Sequence, residues 1–191
     1  MSSLSNQSQE GIGIKVENGT DIILVLLYSD GSSQPENEPI VGNTRLVKLI
    51  FLLEQETSLR NYLKDFKYDA YNFGPYSSEL FDSLQALINA GLVESKETKL
   101  EGNLNEADRF QIELQMAEEG GSPKTTISYS LTSNGERVAS LLFNSLEKSE
   151  QEELSSIKKT FNSMNLRKLL QYIYRKYPKF TTESVIKDYV Y

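Results

Sequence analysis

Positive charge is the first feature of this 191-residue chain that could do chemistry. From Leu154 to Thr182 there is no Asp or Glu, while the same window holds Lys158, Lys159, Arg167, Lys168, Arg175, Lys176 and Lys179. The whole chain carries a net charge of −7. A basic segment in an acidic chain can mark a contact surface for an anionic partner. Tyr172 and Tyr174, interleaved with these cations, would suit a nucleic-acid surface. Arg45 and Lys48, one helical turn apart on an otherwise apolar stretch, extend the set of candidate phosphate contacts. The same cations could equally pair with carboxylates, above all those of the Glu147–Glu153 stretch.

A second constellation is aromatic. "YNFGPYSSELFDSLQALINAGLV" places Tyr71, Phe73 and Tyr76 around Gly74-Pro75, followed by Glu79 and Asp82. Proline fixes its own φ and pushes its predecessor out of the α region, so the chain turns here. Tyrosine is large, stiff and polar at one end, which suits an interface. The turn therefore reads either as a platform for a protein partner or as a capped turn whose rings fill the core. The helix after it, from Ser77 to Ala90, carries two carboxylates and no cation. Phosphate attraction rests on Lys and Arg, so this helix is not expected to be the principal reader of DNA, although Gln85 and Asn89 could contact adenine.

Other chemistries are thin. There is no Cys and no His, which removes disulfides, thiolate sites, the commonest general base and the commonest transition-metal ligand. A metal would have to sit on carboxylates, favouring magnesium or calcium. "GIGIKV" lacks the third glycine and the context of a dinucleotide fingerprint. No catalytic residue, cofactor or metal is therefore assigned, and a non-enzymatic protein is expected. An enzyme built on carboxylates and a divalent ion is the remote alternative.

These residues need elements to hold them. Residues 1–19 are polar, without the pattern of a secretory signal, and read as a flexible leader. "DIILVLLYS" reads as a buried helix with Asp21 as its cap. "GNTRLVKLIFLLEQE" has helical apolar spacing, capped by Asn43 or Thr44, and a short helical piece follows Thr57. "FKYDAYNF" reads as extended. Leu80, Phe81, Leu84, Leu87 and Ile88 form one stripe on the helix capped by Ser77 or Ser78, and "LVES" begins a strand. "RFQIELQM" and "TTISYSLT" both alternate, predicting a β-hairpin over about 109–132. A helix from Thr132 or Ser133 follows. Ser149 with Glu152 matches a capping box for the next helix. Leu166, Leu169, Leu170, Ile173 and Tyr177 share a face of another, which Pro178 ends. No apolar run approaches the roughly 20 residues needed to cross a bilayer.

The expected fold is mostly α with a small β-hairpin: a winged helix-turn-helix-like domain over 20–148 and a C-terminal helical extension over 149–191. Several stretches resemble one family. "TRLVKLIFLLEQE", "YDAYNFGPYSSELFDSLQALINAGLV", "YSLTSNGERVA" and "LLQYIYRKYPKFTTES" are similar to the corresponding elements of the YwgA-like proteins of bacteria and archaea, in the same order from about Thr44 to Ser184. A looser likeness is to the Panacea domain of antitoxins, with Val47 standing where that pattern has Gln and Tyr-Ser following the Gly-Pro. The resemblance implies a compact, winged-helix-like regulatory domain and supplies no catalytic residues. The expected function is then a cytoplasmic, DNA-associated transcriptional regulator acting as a homodimer on duplex DNA. The alternative is an antitoxin or adaptor that binds a protein through the aromatic Gly-Pro turn and the acidic helix.

Overall fold

The computed structural model describes residues 13–99 and 125–190. Helix α1 (Gly19–Tyr28) is buried along most of its length, from Ile22 to Leu27 without a break. Its cap is Asn18, whose side chain accepts from the Thr20 and Asp21 amides. Asp21, expected as the cap, instead returns the bond from the third helical position. Both sites fit a capping box, and the box settles one turn-step earlier because Asn18 is extended and Asp21 is helical. The end of the expected leader is tied down as well: Val16 is buried and its amide donates to Ser145 Oγ at 3.3 Å.

A two-residue strand β1 (Ile40–Val41) leads into α2 (Asn43–Glu56), which is buried from Thr44 through Leu53. A helix buried on every side is central to its domain. Gly42 holds the N-cap position, not Asn43 or Thr44. After a 3-10 turn at Ser58–Asn61, strands β2 (Asp69–Tyr71) and β3 (Gly74–Tyr76) form a hairpin, and α3 (Ser78–Asn89) follows, capped by Ser77 Oγ accepting from the Leu80 amide.

Strand β4 (Val93–Lys99) pairs antiparallel with β5 (Thr125–Leu131), from Val93 opposite Leu131 to Lys99 opposite Thr125. β1 pairs with the other edge of β5, giving the order β1-β5-β4. The sequence pattern paired β5 with 110–116. Here its partner is β4, whose "VESKETK" is too polar to show an alternating apolar face; residues 109–124 of the expected wing lie outside the described residues.

Helix α4 (Ser133–Ser145) starts at Thr132, whose Oγ1 accepts from the Gly135 amide. Gly135 is required by a close approach: a Cβ there would lie 1.9 Å from the Leu92 carbonyl oxygen. α5 (Lys148–Phe161) opens with a capping box between Glu147 and Glu150, displacing the expected Ser149–Glu152 pair by two residues. α6 (Leu166–Lys176) is capped by Asn165, a 3-10 turn at Pro178–Phe180 ends it, and α7 (Lys187–Val190) closes the described chain. Leu154, Ile157, Phe161, Leu169, Leu170, Ile173 and Tyr174 belong to the same apolar core as α1 and α2. The C-terminal helices thus complete the core of the first part, and the fold is mostly α with a small antiparallel sheet.

Candidate interaction surfaces

The nine cations expected to meet phosphate have very different fates. Three are inside. Lys158 has no exposed surface, and its Nζ donates to the Leu27 carbonyl at 2.7 Å and the Ser29 carbonyl at 2.8 Å. Arg45 is 8% exposed, and its Nη1 donates to the carbonyls of Phe161 (2.9 Å) and Met164 (2.7 Å). Lys48 is 3% exposed and its Nζ donates to the Pro75 carbonyl at 2.8 Å. The first two meet the C-terminal ends of α1 and α5, where backbone carbonyls lack helical donors and the helix dipole is negative. Burial lowers the Lys158 ammonium to about 7 against the attraction of Glu38 and Asp30, and lowers the Arg45 guanidinium to about 10. These three are internal ties, and the expectation that they contact phosphate is corrected.

Two more are paired. Lys159 lies 3.0 Å from Asp30, and Lys176 lies 3.0 Å from Glu56. The Glu56 carboxylate also accepts from the hydroxyls of Tyr172 and Tyr177, so α6 is stapled to the end of α2. A hydrogen bond to the Tyr172 hydroxyl, then Glu56, hold the Lys176 ammonium above its ordinary range. Burial first, then Glu56, raises the Tyr177 phenol. Lys179 stands 4.6 Å over the Phe180 ring. Arg167 is half-buried. Lys168 and Arg175 are exposed on one flank of α6, two turns or roughly 10 Å apart, beside a cleft of about 430 Å³ that Gln171 and Tyr172 also line. The expected basic face therefore loses Lys158, Arg45 and Lys48 to the interior, while Lys159, Lys176 and Lys179 stay exposed beside this flank's two cations. Lys159 and Lys176 meet Asp30 and Glu56, not the acidic stretch at the start of α5.

The aromatic turn is a built surface. In the β2–β3 hairpin Asp69 faces Tyr76, Ala70 faces Pro75 and Tyr71 faces Gly74. Side chains alternate across a strand, so Asp69, Tyr71 and Tyr76 share one face and Pro75 turns to the core, where it is buried. Tyr71 is 50% exposed. The Tyr71 and Tyr76 rings are 5.1 Å apart, and Tyr76 stacks on Phe81 of α3 at 5.5 Å with the planes 26° apart. Phe73 does not join them: it is 2% exposed and belongs to the core, which corrects its expected role in partner contact. Two features fix the hairpin from below. Gly74 has φ +85°, and a Cβ there would sit 3.0 Å from the Tyr174 ring, so only glycine fits without displacement. Lys48 then holds the next carbonyl, that of Pro75.

Beside this ladder lies a cavity of about 260 Å³. Its lining combines Val47, Tyr71, Tyr76 and Phe81 with Asn43, Thr44 and Lys48; the Asn43 Oδ1 accepts from the Tyr129 hydroxyl. Glu79 is next along the chain. Its own amide, then the Ser77 hydroxyl at 3.0 Å, hold its carboxyl below the usual carboxylate range. Asp82 is exposed one helical step beyond Phe81. Phe81, Val47 and Asn43 were not legible as site residues, because apolar spacing and capping already accounted for them.

Among the described residues no group of three or more acidic side chains is placed to hold a metal ion, and no helix is long and apolar enough to cross a membrane. Comparison with protein-family models, curated proteins and solved structures gives no match to this chain.

Proposed function

We propose that this chain is a non-enzymatic regulatory module that binds another protein, as an antitoxin or adaptor does, through the aromatic face of the β2–β3 hairpin and the start of α3. The observation that carries this reading is the Tyr71–Tyr76–Phe81 ladder, half-open to solvent on a hairpin that Gly74 and Lys48 hold rigid. Stiff aromatic side chains on a preorganised backbone lose little entropy on binding and are the residues that dominate interface energies. A winged-helix-like scaffold is supported by α1, α2 and α3 preceding the β4–β5 pair, with β1 on the other edge of β5, although the β2–β3 hairpin stands between α2 and α3. On this reading the scaffold is turned to protein contact. The test is co-purification of the full chain with its partner. Tyr71→Ala plus Tyr76→Ala should abolish the association while leaving the thermal midpoint within a few degrees, because Tyr71 is exposed and Tyr76 half-buried. Undiminished association would refute the reading.

A second reading, association with duplex DNA as a dimeric regulator, rests on Lys168 and Arg175 on the open flank of α6, in a window free of carboxylates. It predicts duplex binding that weakens steeply with salt and is lost on Lys168→Glu plus Arg175→Glu. With three of the nine candidate cations buried and two more paired with carboxylates, few are left for that task, since non-specific affinity scales with the number of phosphates neutralised.

A further inference from the structure

The aromatic face of the β2–β3 hairpin also carries a carboxylate. Register sets Asp69 directly opposite Tyr76, and opposed side chains on one face stand roughly 5 Å apart at Cβ. Tyr71 follows two residues along on the same face, roughly 7 Å away. Asp69 is exposed and makes no hydrogen bond or ion pair among the described residues. The nearest cation in sequence, Lys67, is felt by Glu79, after that residue's own amide and the Ser77 hydroxyl. Lys48, below the hairpin, is buried on the Pro75 carbonyl. Asp82, exposed next to Phe81, adds a second negative charge at the margin. The face thus joins the half-exposed Tyr71 ring, whose flat sides are negative by their quadrupole, to an open carboxylate.

We propose that this face takes an arginine side chain from a basic segment of the partner protein, its guanidinium over the Tyr71 ring and forked onto the Asp69 carboxylate. The proposal rests on the protein-binding reading and specifies the partner's chemistry. Ring and carboxylate both attract a cation, and they do so side by side. A guanidinium is flat, stacks on an aromatic face and presents paired donors to a carboxylate. A lysine ammonium serves the carboxylate but brings a compact, strongly hydrated head to the ring. An acidic segment would meet like charge at Asp69 and Asp82. A wholly apolar segment would cover the rings and take water from Asp69 without supplying a counter-charge, a cost that arginine avoids.

The experiment titrates the full chain with the peptide acetyl-Ala-Arg-Ala-amide and with its citrulline counterpart, which keeps the planar head and loses the charge. The ring resonances of Tyr71 and Tyr76 are followed by NMR. The expectation is shifts of both rings that saturate in the millimolar range with the arginine peptide, as suits so small a ligand. The citrulline peptide should bind about fivefold more weakly or worse. Asp69→Asn, at an exposed position, should bring the arginine peptide down to the citrulline level, and Tyr71→Ala should weaken both peptides. Glu152→Gln, which removes the same charge from the exposed start of α5, should leave the arginine preference intact. Absence of saturable shifts, shifts centred away from the hairpin, or equal affinity for the two peptides would overturn the proposal. So would a preference that survives Asp69→Asn, or one that Glu152→Gln lowers as much. None of these outcomes decides the wider protein-binding reading, which stands or falls on Tyr71→Ala plus Tyr76→Ala with the partner.

Discussion

Replacing Lys158 by Met keeps most of the alkyl stem and removes only the ammonium, so it isolates what that charge does inside the protein. The Nζ serves the Leu27 and Ser29 carbonyls at the end of α1. A buried acceptor left without a donor costs about 1–3 kcal/mol, so two set an upper figure of roughly 6 kcal/mol. Relief of the ammonium's own desolvation offsets part of this, leaving an expected loss of about 2–4 kcal/mol near pH 7. The chain has no Trp, so urea unfolding is followed by far-ultraviolet circular dichroism. The pH dependence is the sharper readout. Burial, the largest influence, takes the Lys158 ammonium from its usual 10.5 to about 7, opposed by Glu38 and Asp30. Between those values the unfolded chain binds the proton and the folded chain does not, so stability rises with pH. Its contribution is complete above the unfolded value and is lost as pH falls through about 7. The difference between the native chain and Lys158→Met should therefore grow from pH 7 to pH 9, by at most about 1.4 kcal/mol per unit. A difference that stays flat from pH 6 to 9.5 would mean that the two carbonyls keep the lysine charged, and a loss under about 0.5 kcal/mol would refute the tie itself.

Three further outcomes follow from the same geometry. Arg45→Met should cost about 2–4 kcal/mol in urea unfolding, since two carbonyls at the end of α5 lose a shared donor. Gly135→Ala should cost at least about 2 kcal/mol and lower the thermal midpoint by several degrees, because the added Cβ meets the Leu92 carbonyl oxygen, a backbone atom that cannot swing away. Glu56→Gln should release Lys176 and leave the Tyr172 and Tyr177 hydroxyls an amide in place of a carboxylate. The expected loss is about 1–2 kcal/mol, and the Tyr177 phenol should titrate lower by ultraviolet difference spectroscopy, because a nearby negative charge is gone.

How far the sequence could be read depended on whether a signal was local. The apolar spacing of α2 and α3 and the Ser77 and Thr132 caps are decided within a few residues, and each is found where the pattern put it, whereas the turn expected at Gly74-Pro75 falls at residues 72–73, with Gly74 and Pro75 already in β3. The capping box of α5 is local too, yet "EKSEQEE" offers two registers, Glu147–Glu150 and Ser149–Glu152, and only packing selects between them. β4 was read only at its start because its strand character comes from pairing with β5, with Val93 alone supplying a buried apolar side chain. The aromatic turn was half legible. Tyr71 and Tyr76 fall on one face by hairpin register, whereas Phe73, between them in sequence, sits in the turn and swings into the core.

The cations were the least legible residues, and the reason bears on function. A charge count along a window assumes that each ammonium ends in water. Helices packed end-on create buried carbonyls that exist only in the folded state, and a long side chain from a neighbouring helix is the group able to reach them. Lys158 and Arg45 are used this way, and Lys48 serves the Pro75 carbonyl of the β2–β3 hairpin. Lys159 and Lys176 are held by Asp30 and Glu56. Three of the nine candidate cations are thereby taken out of contact with solvent, in a chain whose net charge is −7. Each cation engaged in this way is one fewer for a polyanion to meet. An uncharged contact needs none of them, and the Tyr71–Tyr76–Phe81 ladder is an aromatic feature open to one. A charge count along the chain therefore overstates the cations available to a partner, because Lys158 and Arg45 hold helix ends, Lys48 holds a hairpin carbonyl, and Lys159 and Lys176 meet carboxylates.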